Sequence, residues 1–525
     1  MARASYLRAR RNAAELHALA GVQREIRAND HSANRKYLRE YNQAFQSYRE
    51  VIDADQIRAA IAAADVVLIG DYHALPSSQR FAAELLEESA GRGRPIVLGV
   101  ETIFARDQHI VNEWWRREIS EDEFRQRIRF DLDWNCDWTP FYQLLTAARE
   151  HTHGIYGLDC TPREDLRRIA IRDRHAAHKI AEIRRQHPYS QIMILFGESH
   201  LAPGHLPLAL KQALPAARVL TVLQNVDALY WQAAGEREQA KAVRVDEDVL
   251  CVFNSTPLEK YENYRLCFKR WNCEGSETAD PAPTIYNLID TLVRFLNIDR
   301  YCSHNGTQPK FLVDMMPEVY CGNSDARLRQ LLLRCTGENK KVEHLLQKIE
   351  LQGSMYLPGL NAFYMREFQI ASTAEEATRF LHHACRGLPF CGNEHKSAQL
   401  TIVDRFYARA VEHALAYFGS RVLCPARAAV RLEDGSDVSS RLAERMALSA
   451  VHAGRLKFDL NAQQLGYMLG TGLYDAYLRG AGTQRALRNL FLSRLEGPGQ
   501  AREICFSVLR KIRRTRKKPC ASVAD

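Results

Sequence analysis

Two histidines and one glutamate in this sequence follow short apolar runs, where side chains are well placed to do chemistry. His73 closes a G-x-x-H unit that begins at Gly70, and His200 closes a second unit that begins at Gly197. Glu101 ends a third apolar run. Two imidazoles and a carboxylate can hold a divalent metal ion with open positions for water. Without a metal, one imidazole can act as a general base on water. These three residues are therefore both the candidate catalytic residues and the candidate metal ligands.

Other polar residues lie beside these three, at the ends of apolar runs or just after them. We expect them to contact a cofactor or ligand in the same site: Asp71, Tyr72, Asp159, Glu198 and His205. The alternative is that such residues only satisfy backbone groups where strands end. Two G-x-x-H units in one sequence favour a shared pocket, because glycine permits the sharp turn that brings each histidine back over a sheet edge.

Five short apolar runs supply the elements that would position these residues. None of the runs shows the alternation of apolar and polar residues typical of a half-exposed strand, so they predict a mostly parallel sheet covered by helices on both faces. Helical segments separate them, which indicates an α/β fold. In such sheets ligands bind outside the carboxyl ends of the strands, where the candidate residues lie. The runs are residues 65–70, 95–101, 154–159, 191–197 and 218–223.

A helix is predicted after the third run. Residues 161–164 read Thr-Pro-Arg-Glu, a capping box with proline at the first helical position. The predicted helix ends near Gln186 and carries Arg172 and Asp173. We expect those two residues to form an ion pair on a solvated face of the helix.

The sequence pattern divides the chain into four parts. Residues 1–50 are polar with sparse apolar positions and predict an N-terminal helical extension, and residues 51–249 form the predicted α/β domain. Helical spacing dominates residues 250–505, which predict a mostly helical domain. Residues 506–525 form a basic tail.

Composition and charge restrict the class of protein. The 525 residues are 46% hydrophobic and 26% charged, a balance typical of globular proteins. No apolar stretch approaches ~20 residues, so no transmembrane segment is expected. The start of the chain lacks an apolar leader, which predicts a cytoplasmic location.

The net charge of +9 is concentrated near the C-terminus, where seven basic residues give +7 and leave the remaining chain at +2. A nucleic-acid surface over the whole protein is therefore not expected, although the tail offers contacts to nucleic acid or an anionic membrane. The seven residues are Arg510, Lys511, Arg513, Arg514, Arg516, Lys517 and Lys518.

The 13 cysteines include no C-x-x-C pair and are expected to be mostly free thiols. One group has spacing that resembles a metal site but lacks the paired ligands of structural zinc, so ordinary core and surface roles are favoured. Its members are His382, His383, Cys385, Cys391 and His395.

Residues from about 60 to 225 resemble the ChaN-like haem-binding uptake domain, of the superfamily that includes Tiki metalloproteases, TraB and erythromycin esterases. The resemblance is colinear through both G-x-x-H units, the glutamate, the Trp134 to Tyr142 stretch and the loop from Pro203 to Pro207. It implies an α/β sheet with a pocket at its edge. ChaN proteins are associated with haem binding, Tiki-like members with metal-dependent peptide hydrolysis, and the esterases with a histidine base. His73, Glu101 and His200 are the corresponding residues here.

Two functions follow from these observations. The first is a ChaN-like protein that holds haem, iron or another metal ion in the strand-end pocket. The alternative is a metal-dependent or histidine-based hydrolase of an ester or peptide bond that uses the same residues. Either function implies a small-molecule or peptide ligand, and a homodimer is a further expectation.

Overall fold

The structure is a computed structural model of the chain, which divides into two compact units. One unit comprises residues 23–276, and the other comprises residues 1–22 together with 277–525. The structure describes residues 2–30, 36–134, 136–160, 169–236, 240–272, 280–300, 312–321, 325–386, 400–432, 438–451, 455–480, 482–493, 495 and 497–517.

The unit of residues 23–276 contains an eight-stranded sheet in the order β1-β7-β8-β6-β2-β5-β3-β4. Six neighbouring strands, from β8 to β4, are parallel, whereas β7 and β1 add antiparallel strands at one edge. The strands are β1 (Glu50–Ile52), β2 (Val66–Asp71), β3 (Ile96–Phe104), β4 (Ile155–Asp159), β5 (Gln191–Gly197), β6 (Val219–Gln224), β7 (Ala242–Asp246) and β8 (Val249–Val252).

Helices connect these strands. They are α1 (Ala2–Asn29), which contributes to both units, and α2 (Lys36–Ala44), α3 (Ala54–Ala63), α4 (Pro76–Ala90), α5 (Gln108–Trp115), α6 (Glu121–Arg127), α7 (Phe130–Asp133), α8 (Trp138–His151), α9 (Ile169–Gln186), α10 (Leu206–Ala213), α11 (Asp227–Glu236) and α12 (Pro257–Asn272). The capping box predicted to open α9 lies outside the described residues.

Strand β2 shows why the sheet is covered on both faces. All of its residues are buried. Val67 and Ile69 pack into one apolar cluster, while Val66 and Leu68 pack into another on the opposite face. Both faces of a central strand can be apolar only when helices cover both of them, as in other parallel sheets. The predicted α/β class and mostly parallel sheet are therefore confirmed, and the five predicted runs are β2 to β6.

The second unit is mostly helical, as predicted. It also contains a three-stranded sheet in the order β10-β11-β9, formed by β9 (Glu318–Cys321), β10 (Ser354–Leu357) and β11 (Ala362–Met365). Its helices are α13 (Ala282–Leu296), α14 (Asp325–Thr336), α15 (Asn339–Gln352), α16 (Ile370–Cys385), α17 (Ile402–Leu423), α18 (Ser440–Val451), α19 (Arg455–Leu478), α20 (Gln484–Phe491) and α21 (Gln500–Lys517).

Among the described residues, no helix is long and apolar enough to cross a membrane. The basic run of the predicted tail begins within α21, and residues from Lys518 onward lie outside the described part of the chain. The four-part division of the chain stays a prediction.

Candidate functional site

Three adjacent strands bring His73, Glu101 and His200 together at the carboxyl edge of the sheet. Strand β5 lies between β2 and β3, and the last residues of β2 and β5 are paired in register. The Nε2 atom of His73 lies 3.7 Å from Glu101 Oε2, and the Nε2 atom of His200 lies 3.6 Å from Glu101 Oε1. The two imidazoles thus approach different oxygens of one carboxylate.

Glu101 is the buried centre of this arrangement. Glu101 lies in β3, which ends at Phe104. The pairing of β3 with β4 shifts register between Val100 and Phe104, and such an irregularity can redirect a side chain. The Oε2 atom of Glu101 accepts a hydrogen bond from the Gly197 backbone N–H at 2.5 Å. Burial raises the pKa of Glu101, but the positive charges of His200, Arg172 and His73 outweigh burial and lower it to about 2.

Each of the two histidines has an aspartate at its Nδ1 atom, while its Nε2 atom faces Glu101. Asp71 Oδ2 lies 2.7 Å from His73 Nδ1, and the Gln79 amide donates to the other oxygen of Asp71 at 2.5 Å. Asp173 Oδ1 lies 2.6 Å from His200 Nδ1. A carboxylate at Nδ1 fixes a proton on that nitrogen and orients the ring. Each Asp–His pair therefore directs its Nε2 atom toward Glu101.

Tyr37 of α2 completes the surroundings of His200. Its hydroxyl donates to Asp173 Oδ2 at 2.7 Å and lies 2.9 Å from His200 Nδ1. Burial raises the pKa of Tyr37, and the charge of Asp173 raises it further, so the hydroxyl keeps its proton and acts as a donor. A residue far from the G-x-x-H units in sequence thus fixes the position of the second Asp–His pair.

Arg172 joins two of the predicted site residues. It donates to Glu101 Oε1 at 2.5 Å and to both oxygens of Asp159 at 2.9 and 2.7 Å. Burial lowers the pKa of Arg172, but Glu101 and Asp159 raise it above its usual value. The predicted solvated face is wrong for this part of α9, because Arg172 and Asp173 are both buried. Instead, Arg172 contacts Glu101 and its neighbour Asp173 contacts His200.

Gly197 provides the space in which these groups meet. A Cβ atom added there would lie 2.9 Å from Glu101 Oε2 and 3.4 Å from both His73 Nε2 and His200 Cδ2. The first distance is too short for any side chain. The glycine of the second G-x-x-H unit is thus needed for close approach. Its backbone angles, φ −49° and ψ 129°, are open to any residue, so the predicted turn does not require glycine.

Glu198 and Tyr72 surround a different group, the buried Lys260 of α12. Its ammonium donates to Glu198 Oε1 at 3.0 Å and lies 4.5 Å from the centre of the Tyr72 ring. Burial lowers the pKa of Lys260, but the Glu198 charge raises it above its usual value. Burial raises the pKa of Glu198, against the opposing effect of Lys260. The structure therefore places these two predicted ligand-binding residues in an ion-pair cluster beside the histidines.

His205 lies next to the site rather than at its centre. Its ring stacks on Tyr37 with 3.8 Å between ring centres, and its Nε2 atom lies 2.9 Å from Glu40 Oε2. His205 therefore contacts the two Asp–His pairs only through Tyr37 among the contacts described here.

Trp134 lies at the other end of the site. Its ring contacts the His73 ring edge-on, with 4.8 Å between ring centres.

Two imidazoles and a carboxylate are acceptable ligands for a divalent metal ion, but here their surroundings oppose one. Both oxygens of Glu101 already accept hydrogen bonds, one of them from the positive charge of Arg172. Among the described residues, no group of three His, Cys, Asp or Glu side chains is arranged to hold a metal ion. The site thus does not fit a resident metal.

Haem iron has different requirements, which these histidines do not meet. An axial ligand must direct its nitrogen into an apolar slot that accommodates the porphyrin. The Nε2 atoms of His73 and His200 instead face Glu101 at 3.7 and 3.6 Å. Neither histidine fits an axial ligand in this arrangement.

Sequence reasoning missed the residues that complete the site. Arg172 and Asp173 are adjacent charged residues on a predicted helix. That helix connects two strands that carry site residues, and this connection was the one signal that the two side chains could be buried. For Tyr37 and Lys260 the sequence offers no signal, because each lies well outside the five strands that were recognised.

The fold and site define an α/β protein with a polar constellation at the carboxyl edge of a parallel sheet. Residues 57–172 match the family described as haem-binding uptake, Tiki superfamily, ChaN. The resemblance seen in the sequence is thereby confirmed for that segment. A solved structure of ChaN from Campylobacter jejuni, described as showing cofacial haem binding, is 13% identical to this chain. It covers 33% of this chain and 86% of its own, with a TM-score of 0.25. No curated protein matches the chain.

Proposed function

We propose that the strand-end site hydrolyses an ester or peptide bond by acid–base chemistry of His73 and His200. One observation carries this proposal: two Asp-held histidines present Nε2 to the same buried glutamate, whose charge Arg172 already balances. Paired acid–base groups in distinct surroundings are the usual basis of hydrolysis without a metal.

His73 is the candidate general base. Its side chain is 19% exposed, against 6% for His200, so water and substrate reach it more readily. Asp71 holds its Nδ1 proton and leaves Nε2 able to take a proton from water. The water oxygen then attacks the carbonyl carbon of the substrate.

His200 is the candidate general acid. The described constellation contains four carboxylates, those of Asp71, Glu101, Asp159 and Asp173, and a single guanidinium. Asp173 Oδ1 lies 2.6 Å from Nδ1 of His200 and Glu101 Oε1 lies 3.6 Å from its Nε2, so a carboxylate oxygen faces each ring nitrogen. This arrangement suits an imidazole that donates a proton. Its Nε2 proton would pass to the leaving group as the tetrahedral intermediate collapses.

The test is hydrolysis by the purified full-length chain of a panel of nitrophenyl esters and fluorogenic peptides. We expect His73→Ala and His200→Ala each to lower kcat by about 10²-fold or more. The matched control is His109→Ala, because His109 is an exposed histidine of α5 outside the constellation. Activity that survives in the double variant would contradict the proposal, as would a wild-type chain that hydrolyses no member of the panel.

The same assay separates a histidine base from a metal-bound water. We expect activity to survive exhaustive chelation, because both oxygens of Glu101 already accept hydrogen bonds from Arg172 and the Gly197 backbone. Activity that disappears with chelator and returns with added zinc or manganese would instead make His73, Glu101 and His200 ligands of a catalytic metal.

Haem binding is the second candidate, and the family match over residues 57–172 is the observation that favours it. It is tested by titrating haemin into the purified protein and following the Soret band near ~400 nm. A saturable band with one haem per chain would support this candidate. Because neither site histidine fits an axial ligand, we expect any such band to persist in the His73→Ala, His200→Ala double variant.

A further inference from the structure

A second cluster of buried ionisable side chains lies in the helical unit, away from the sheet. Helix α16 carries Glu375, Glu376, Arg379, His382 and His383, all of them buried. Their spacing of one, four, seven and eight residues from Glu375 places them along one side of the helix. Charged residues are almost never buried in such numbers unless they are paired or bind something.

One end of this cluster is an ion-pair network around Glu375. Tyr467 of α19 donates to Glu375 at 2.9 Å, and Arg427 donates to it at 2.7 Å. Arg379 donates to Glu375 at 3.4 Å and to Glu376 at 3.3 Å. The Tyr356 backbone N–H donates to the other oxygen of Glu376 at 3.0 Å. Both carboxylates therefore have partners.

The other end of the cluster is centred on Glu412 of α17. Arg386 donates to one of its oxygens and Arg409 to the other, each at 3.2 Å. Burial raises the pKa of Glu412, but the positive charges of Arg409 and Arg386 help to lower it below its usual value. Each oxygen of this carboxylate therefore has an arginine partner.

Between these two ends, several buried nitrogen atoms have no hydrogen-bond partner among the described residues. Within the described part of the chain, Arg379 Nη1 and both ring nitrogens of His382 and of His383 have no hydrogen-bond partner. His382 is 1% exposed and His383 is 9% exposed. Burial lowers the pKa of both histidines, that of His383 to about 4, so both are neutral at pH 7. Buried polar atoms without partners are rare and commonly mark a bound water, ion or ligand.

The charge balance indicates the sign of a bound group. Three carboxylates in the described cluster, those of Glu375, Glu376 and Glu412, contact four guanidinium groups. The cluster therefore has an excess of one positive charge. Lys348 of α15 adds to this excess, although burial lowers its pKa. A single negative charge would balance the guanidinium groups.

We propose that Arg379, His382 and His383 bind a small oxyanion, a carboxylate or a phosphate, inside the helical unit. Arg379 Nη1 supplies a charged donor, which suits carboxylate and phosphate oxygens. Each neutral imidazole supplies one N–H donor, while its second nitrogen can accept from a hydroxyl group of the same ligand. Cys391 and His395, which share a metal-like spacing with these histidines, lie outside the described residues.

The experiment is equilibrium dialysis of the full-length chain against labelled inorganic phosphate and, separately, labelled formate, at constant ionic strength with chloride as the competing anion. We expect one of the two anions to bind with a stoichiometry near one per chain. Which anion binds distinguishes a phosphate ligand from a carboxylate ligand. His382→Phe removes the imidazole while keeping an apolar ring of similar size, and we expect it to weaken binding at least tenfold.

The control is His344→Phe, because His344 is an exposed histidine of α15 outside the cluster. His382→Phe should unfold at the same temperature as the wild type or higher in chloride buffer, since it removes a buried imidazole without partners. If that variant does not fold, His383→Phe replaces it under the same expectation. The proposal is overturned if neither anion binds saturably to the wild type, or if the histidine variants bind as tightly as the wild type.

Discussion

The Nδ1 atom of His200 lies 2.6 Å from Asp173 Oδ1, on a helix that is distant in sequence from the strand before the histidine. His73 has the same relationship with Asp71, at 2.7 Å, although those two residues are separated by one position only. One pair is thus made within a single turn, whereas the other depends on the packing of α9 against the sheet.

Replacing Asp173 by asparagine should impair catalysis without unfolding the protein. The amide carries no negative charge and can donate to Nδ1, so His200 would stay a neutral imidazole, which is a much weaker general acid than the imidazolium. We expect kcat for the best ester or peptide substrate to fall by about 10²-fold or more. The matched control is Glu182→Gln, at a partly exposed acid of the same helix that pairs with Lys179. An equal loss in that variant would argue against an effect on the acid role of His200.

Glu101 should contribute to stability in acid. Its folded pKa of about 2 lies below the ordinary value of 4.5. The carboxylate therefore stabilises the folded state above pH 4.5, and this contribution is lost as the pH falls from about 4.5 to about 2. Glu101→Gln should lower the free energy of unfolding at pH 7 by about 3 kcal/mol.

The measurement for Glu101 is denaturant unfolding at several pH values between 3 and 7. The difference in the free energy of unfolding between the wild type and Glu101→Gln should become smaller as the pH falls toward 3. Glu150→Gln, at an exposed position of α8, serves as the control. A difference that stays constant across this range would mean that the pKa of Glu101 is the same in the folded and the unfolded protein.

Gly197→Ala should disrupt the site through steric contact alone. The new methyl group would lie 2.9 Å from Glu101 Oε2, so either the carboxylate or the strand end must move. We expect a loss of about 1–3 kcal/mol in the free energy of unfolding, together with a fall in hydrolytic activity. Gly204→Ala is the control, because a Cβ atom there meets nothing within 4 Å among the described residues. Equal thermal and kinetic behaviour of the two variants would contradict the close approach described here.

Lys260→Met should destabilise the sheet unit by leaving Glu198 buried without its partner. Breaking one side of a buried ion pair costs about 3–5 kcal/mol. Adding Glu198→Gln should recover much of that loss, because the remaining carboxylate is removed. Denaturant unfolding of the wild type, the two single variants and the double variant measures the coupling free energy between Lys260 and Glu198. Lys269→Met, which removes a partly exposed lysine paired with Glu25, should change stability by less than about 1 kcal/mol.

The strands that carry the site could be predicted because each is a continuous apolar run. Strands β1, β7 and β8 were not predicted. All three are short, and β1 and β7 are also partly exposed at the antiparallel edge. The convergence of His73, Glu101 and His200 follows from the rule that parallel strands end at one edge. Their roles in catalysis or metal binding stay predictions.

The orientation of α9 could not be predicted from the same patterns. It has seven charged and eight apolar residues, so its sequence does not distinguish a solvated face from one that contacts buried carboxylates. Arg172 and Asp173 are buried because Glu101, Asp159 and His200 supply partners on other elements. Such compensation depends on long-range packing, which no local spacing encodes.

The position of β5 sets a lower limit on the length of any fragment in which the eight-stranded sheet could fold on its own. The family match ends at residue 172, whereas β5 begins at Gln191 and lies between β2 and β3. A polypeptide cut to residues 57–172 would contain β2, β3 and β4 but not β5, which joins β2 to β3. It would also lack Tyr37, Asp173 and His200. The smallest autonomous version of the sheet must therefore reach beyond the recognised segment in both directions, toward the limits of residues 23–276.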